Sequence, residues 1–150
     1  CSMNEKTAEL IASFLRIARE DLEGARLLAS VDNRNAIYLC EQAAEKIIRA
    51  VVTAEGRHVG HRHALATTVD EHVPDENPLK PALAQVTVLE AYATAYRYPT
   101  PTGRVPAPLV GERFAALLTQ VQDLLQEAAR LFAVDLRNDQ GPARKPQAPR

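Results

Sequence analysis

The stretch from Arg34 to Gly56, RNAIYLCEQAAEKIIRAVVTAEG, most limits what this chain can become. Ile37, Cys40, Ala43, Ala44, Ile47, Ile48, Val51 and Val52 recur at steps of three and four, so they share one broad face of a single helix. Ala43 and Ala44 let another helix backbone approach closely, while the isoleucines and valines fill the space on either side. Asp32 or Asn33 offers a side-chain oxygen to the unpaired N–H groups of the first turn, and Gly56 stands where a left-handed C-terminal residue is wanted. The opposite face is expected to be solvated and to carry Glu41, Glu45, Lys46 and Arg49, with Glu41–Glu45 unfavourable and Glu45–Arg49 favourable at i,i+4. A helix this apolar must be covered by partners.

Those partners are legible in the rest of the chain. Asn4 to Ser30 reads as a first long helix with Ile11, Phe14, Leu15, Ala18, Leu22, Ala25 and Leu28 on its stripe. The short break at Asp32-Asn33 makes the central helix return antiparallel to it. His61 to His72 is expected to be a brief helix with Leu65, Thr68 and Val69 inward. Leu79 to Tyr98 reads as one further long helix, Pro81 sitting in its first turn where a missing N–H costs nothing. Its Val86-Thr87-Val88 triplet favours strand locally, but the longer pattern has the helical period. Prolines from Pro99 to Pro108 impose a loop, and Val110 to Phe132 is the last long helix. The expected fold is all-α: an antiparallel bundle of four long helices plus one short helix over residues 4–133, with 134–150 a disordered polar tail.

Composition narrows the functional classes. The 150 residues make one domain with room for a sizeable core, and a formal net charge of -1 argues against a domain-wide electrostatic grip on nucleic acid while allowing a local basic patch. No apolar run approaches the roughly 18 residues needed to span a bilayer, and NEKTAEL is not a signal-type stretch, so no membrane association is expected. Cys1 and Cys40 make no disulfide framework, so a cytoplasmic protein is the expectation.

Tyr96, Arg97, Tyr98 and Pro99 are the strongest candidates by chemistry. An arginine between two tyrosines at a helix end can present its guanidinium fork to a phosphate or carboxylate, and tyrosine faces can stack on a base or ribose. The alternative is structural, with the tyrosines capping the core and Arg97 pairing with a helix-end carbonyl or Glu90. Arg104 in the same loop and Arg34 at the start of the central helix could join a shared anion site. His58, His61 and His63 cluster, but no paired cysteine completes a zinc shell, and no metal or cofactor is expected.

Taken together, AREDLEGARLL (Ala18 to Leu28), NAIYLCEQAAEKIIRAVVTAEG (Asn35 to Gly56), GHRHAL (Gly60 to Leu65) and YRYP (Tyr96 to Pro99) resemble the HEPN domain family in order and spacing, across about Ile11 to Phe132. The resemblance implies a helical bundle, usually a homodimer, found beside minimal nucleotidyltransferases in prokaryotic pairs. It further implies either a metal-independent ribonuclease or toxin, or a module that binds a nucleotide, RNA or protein partner. Family ribonucleases carry an Arg followed within a few residues by His near the start of the last helix; the His moves a proton and the Arg stabilises the charged phosphorane. This chain has no histidine after His72, so the region from Arg97 onward cannot supply that pair. Arg57 and His63 match its spacing but lie in the loop after the central helix. The expectation is therefore a binding module of a toxin–antitoxin type system without ribonuclease activity, with Tyr96, Arg97, Tyr98, Arg104 and His63 as ligand-binding candidates. The alternative is a ribonuclease toxin using Arg97 or an Arg57/His63 pair.

Overall fold

In a computed structural model, residues 3–60 and 64–137 are described. The order is α1 (Glu5–Ala29), α2 (Asn35–Ala54), α3 (Leu65–His72), α4 (Lys80–Val86), α5 (Leu89–Arg97) and α6 (Glu112–Leu131). No strand occurs among the described residues. No helix among them is long and apolar enough to cross a membrane.

α2 is the hub. From Ala36 to Ala54 none of its residues is exposed, and it packs against each of the other five helices. Ile47, Ile48 and Val51 are wholly buried, as the periodicity requires. One expectation fails on this helix: Glu41, assigned to a solvated face, is 8% exposed because α5 packs over that side.

α1 begins where the Asn4 side-chain oxygen accepts the Thr7 N–H at 2.8 Å. It ends in a reversal in which Asp32 takes a positive φ of 52° and the Asn33 N–H donates to the Leu28 carbonyl at 2.9 Å. The Asn33 side-chain oxygen accepts the Asn35 N–H at 2.9 Å in a turn leading into α2, whose N-cap residue, Arg34, makes no side-chain cap. The antiparallel α1–α2 pair is the most extensive contact in the molecule. Gly24 permits the close approach, since a Cβ there would lie 2.8 Å from Leu39 Cδ1.

The stretch expected to form one helix from Leu79 to Tyr98 is two, broken at Thr87-Val88. Thr87 turns both its N–H (3.4 Å) and its hydroxyl (2.7 Å) to the Ala84 carbonyl, so the chain tightens to an i to i+3 pattern, and Glu90 N–H repeats it on the Thr87 carbonyl. The β-branched triplet loses locally to side-chain–backbone hydrogen bonding. Pro81 lies in the first turn of α4, as read from sequence.

α6 ends in a Schellman-type turn at Ala133, φ 49°, with the Val134 N–H on the Ala129 carbonyl at 2.9 Å. The fold continues past the expected boundary at 133. Val134 is buried, and Arg16 Nε donates to the Asp135 carbonyl at 3.1 Å across α1. The remainder of the expected tail, from 138, lies outside the described residues.

Candidate functional site

Pro99 restricts the residue before it to extended backbone, and Tyr98 duly leaves the helix at φ -120°, ψ 154°. α5 therefore stops on Arg97. Its guanidinium carbon sits 4.8 Å from the Tyr38 ring centroid and 4.9 Å from that of Tyr98. Tyr38 comes from the first turns of α2, so the site joins residues distant in sequence. Among the described residues the guanidinium makes no hydrogen bond or ion pair. Its N–H donors stay available while two aromatic faces hold its plane.

Beside it Tyr38, Glu41, Gln42, Glu90, Thr94 and Arg97 line a shallow cleft of about 190 Å³. Burial pushes the Glu41 carboxyl above the usual carboxylate range, a hydrogen bond from Gln42 and the positive charge of Arg97 oppose the shift, and the charges of Glu45 and Glu90 add to it. The Gln42 amide donates to Glu41 at 2.9 Å and to Glu45 at 3.2 Å, while Arg49 pairs with Glu45 at 3.1 Å. Glu90 is used elsewhere. Its Oε2 accepts the Leu65 N–H at 2.7 Å and so caps α3, which has no side-chain cap of its own. The pairing of Arg97 with Glu90 considered from sequence is not made.

The sequence candidates separate. Tyr96 is half-buried and packs on the core, a structural place, whereas Arg97 and Tyr98 are exposed together. Arg104 sits in the proline loop, where its N–H donates to Thr100 Oγ1 at 3.0 Å and its carbonyl accepts the Thr100 N–H at 2.8 Å. Its side chain does not line the Arg97 cleft. Arg34 ties that loop to α2 by donating to the Pro106 carbonyl at 2.5 Å, so part of its donor set is committed. His63, with His61, lies outside the described residues. Arg57 and His58 line a different, mostly apolar pocket of about 80 Å³ with Phe14, Ile48 and Val52. Among the described residues no three His, Cys, Asp or Glu side chains group so as to hold a metal ion.

Tyr38 was missed by the sequence reading. The available signal was an aromatic one turn after Arg34 near the start of an otherwise aliphatic helix, which does not reveal what packs beside it.

A profile of the HEPN domain matches residues 11–139. The chain belongs to the HEPN family. Neither a curated protein nor a solved structure matches it. HEPN domains are helical modules of the nucleotide-binding and ribonuclease type and often act as dimers, and the all-helical bundle around α2 is this member's version of the scaffold.

Proposed function

We propose that this HEPN domain is a binding module that takes a phosphate of a nucleotide or RNA on Arg97 and does not cleave it. One observation carries the reading: Arg97 is held against the rings of Tyr38 and Tyr98, and among the described residues no carboxylate forms an ion pair with it. A pre-oriented guanidinium offers two parallel N–H groups to phosphate oxygens, and the exposed Tyr98 ring offers a stacking face to a base. Glu41 and Glu90 on the inner wall repel a phosphate from the depth of the cleft, so the anion would sit at the outer edge beside Tyr98. Among the described residues no imidazole lines this cleft.

One observation favours the ribonuclease alternative. The Glu41 carboxyl, held above the usual carboxylate range by burial in the same cleft, is a group that could hand on a proton. Incubating the full chain with total RNA in EDTA, beside Arg97→Ala and Glu41→Gln, separates the two. Intact RNA with a mobility shift lost in Arg97→Ala is the expected result; cleavage lost in either variant overturns the binding-module reading.

Homodimerisation, a minimal nucleotidyltransferase partner, a toxin–antitoxin setting and a cytoplasmic location complete the proposal and rest on family membership. Sedimentation at micromolar concentration and co-purification with a nucleotidyltransferase encoded beside it test the first two. A 16.5 kDa species alone in both would count against them.

A further inference from the structure

A second group of cations sits on helices that take no part in the Arg97 cleft. Arg19 and Arg26 from α1, Arg130 from α6 and Arg137 beyond it line a wide cleft of about 850 Å³. Among the described residues two carboxylates, Glu23 and Asp135, share its walls with these four arginines, and Glu127 beside the cleft pairs with Arg130. The four arginines are not equivalent. Arg130 is hydrogen-bonded to Glu127 at 2.6 Å and Arg137 to Asp135 at 3.3 Å. Arg19 instead has a buried Nε with no hydrogen-bond partner and only a 3.8 Å ion pair to Glu23. Arg26 donates to the neutral amide oxygen of Gln122.

The under-compensated charge is therefore on α1. Arg19 and Arg26 are seven residues apart on one helix, about 10 Å along its axis, too far to converge on a single phosphate but suited to a chain of them. Among the described residues no aromatic ring lines the cleft, so none of them offers a platform for a base. Of its apolar lining, Ala129 and Val134 are already buried in the core, leaving Ala133 and Leu136 beside the arginines and glutamines, and a phosphate chain needs only the charge. We propose that this cleft is a second, sequence-independent contact for the phosphate backbone of single-stranded RNA, with Arg19 and Arg26 as the contacting residues.

The test is fluorescence anisotropy of a labelled single-stranded RNA with the full chain, repeated from about 0.1 M to about 1 M salt. Each phosphate contact on a single strand contributes about 0.7 to the slope of log affinity against log salt, so R19Q/R26Q should lower the slope by about 1.4 and weaken binding about 25-fold at 0.1 M. Glutamine removes the charge while keeping the aliphatic stem and a polar end, and Arg19 Nε has no hydrogen bond among the described residues to lose. E23Q removes a repelling carboxylate from the cleft and should tighten binding, an outcome that loss of folding cannot mimic. Unchanged slope and affinity in R19Q/R26Q, or no tightening in E23Q, overturns the proposal. Binding lost in R97A but kept in R19Q/R26Q sinks this cleft and leaves the Arg97 site standing; the reverse pattern sinks the Arg97 site alone.

Discussion

The Arg97 site makes a claim about rigidity that can be measured without any ligand. Arg97 lies within 5 Å of two ring centroids, at 4.8 Å from Tyr38 and 4.9 Å from Tyr98, on an exposed part of the surface. A cation–π contact at an exposed site contributes about 0.5–1 kcal/mol, so Arg97→Ala should cost about 1–2 kcal/mol. For a domain of this length that is a fall in Tm of about 2–8 °C. The sharper quantity is the coupling. Urea unfolding of Arg97→Ala, Tyr38→Leu and the double variant should give an interaction energy of about 0.5–1 kcal/mol, and the same cycle read by RNA anisotropy should show coupling of the same sign. Arg97→Lys keeps the charge but not the planar fork, and should recover little of the binding. If the stability cycle gives no coupling while Arg97→Ala still weakens RNA binding, Arg97 is an ordinary mobile surface charge.

Three other outcomes follow from the interior. Burial raises the Glu41 carboxyl above the unfolded value of about 4.3, so the folded state holds its proton longer and stability is lost as pH rises through the folded value. Glu41→Gln should therefore gain on the wild type between pH 4 and pH 8 in urea midpoints, and a difference that does not change with pH would contradict the assignment. Burial, with the neighbouring Glu41 charge, pushes the Cys40 thiol up to about 12, so in a Cys1→Ser background iodoacetamide near neutral pH should label Cys40 only on unfolding; prompt labelling of the native chain would show the site opens. Glu90→Ala removes the acceptor of the Leu65 N–H and should cost about 1 kcal/mol, with faster hydrogen exchange at the start of α3. Unaltered exchange there would mean the cap contributes nothing.

Much of this fold is written locally. The repeat of apolar residues on α1, α2 and α6, Pro81 in a first turn, the αL position at Gly56 (φ 74°) and the extended backbone imposed before Pro99 all depend on a residue and its near neighbours. Arg97 and Tyr98 were accessible to the same reasoning, because a helix end followed by proline must expose its last side chains. The break at Thr87 was not, since it turns on whether a hydroxyl takes the Ala84 carbonyl in competition with the helix ladder, and the periodicity of the flanks hides that competition.

What no local pattern contains is which surfaces meet. Glu41 is a polar residue on the edge of an apolar stripe, and only the packing of α5 onto α2 turns it into a buried carboxyl with a raised pKa. Tyr38 meets Arg97, Glu90 caps a helix it is not part of, and arginines from α1, α6 and the segment after it come to line one cleft, all through contacts between elements far apart in the chain. The sequence by itself determined the helices and the buried stripe of α2, because backbone geometry and hydrophobic periodicity act over a few residues. The tertiary structure decided the sites, because desolvation, ring contacts and the balance of charges depend on what each side chain is packed against.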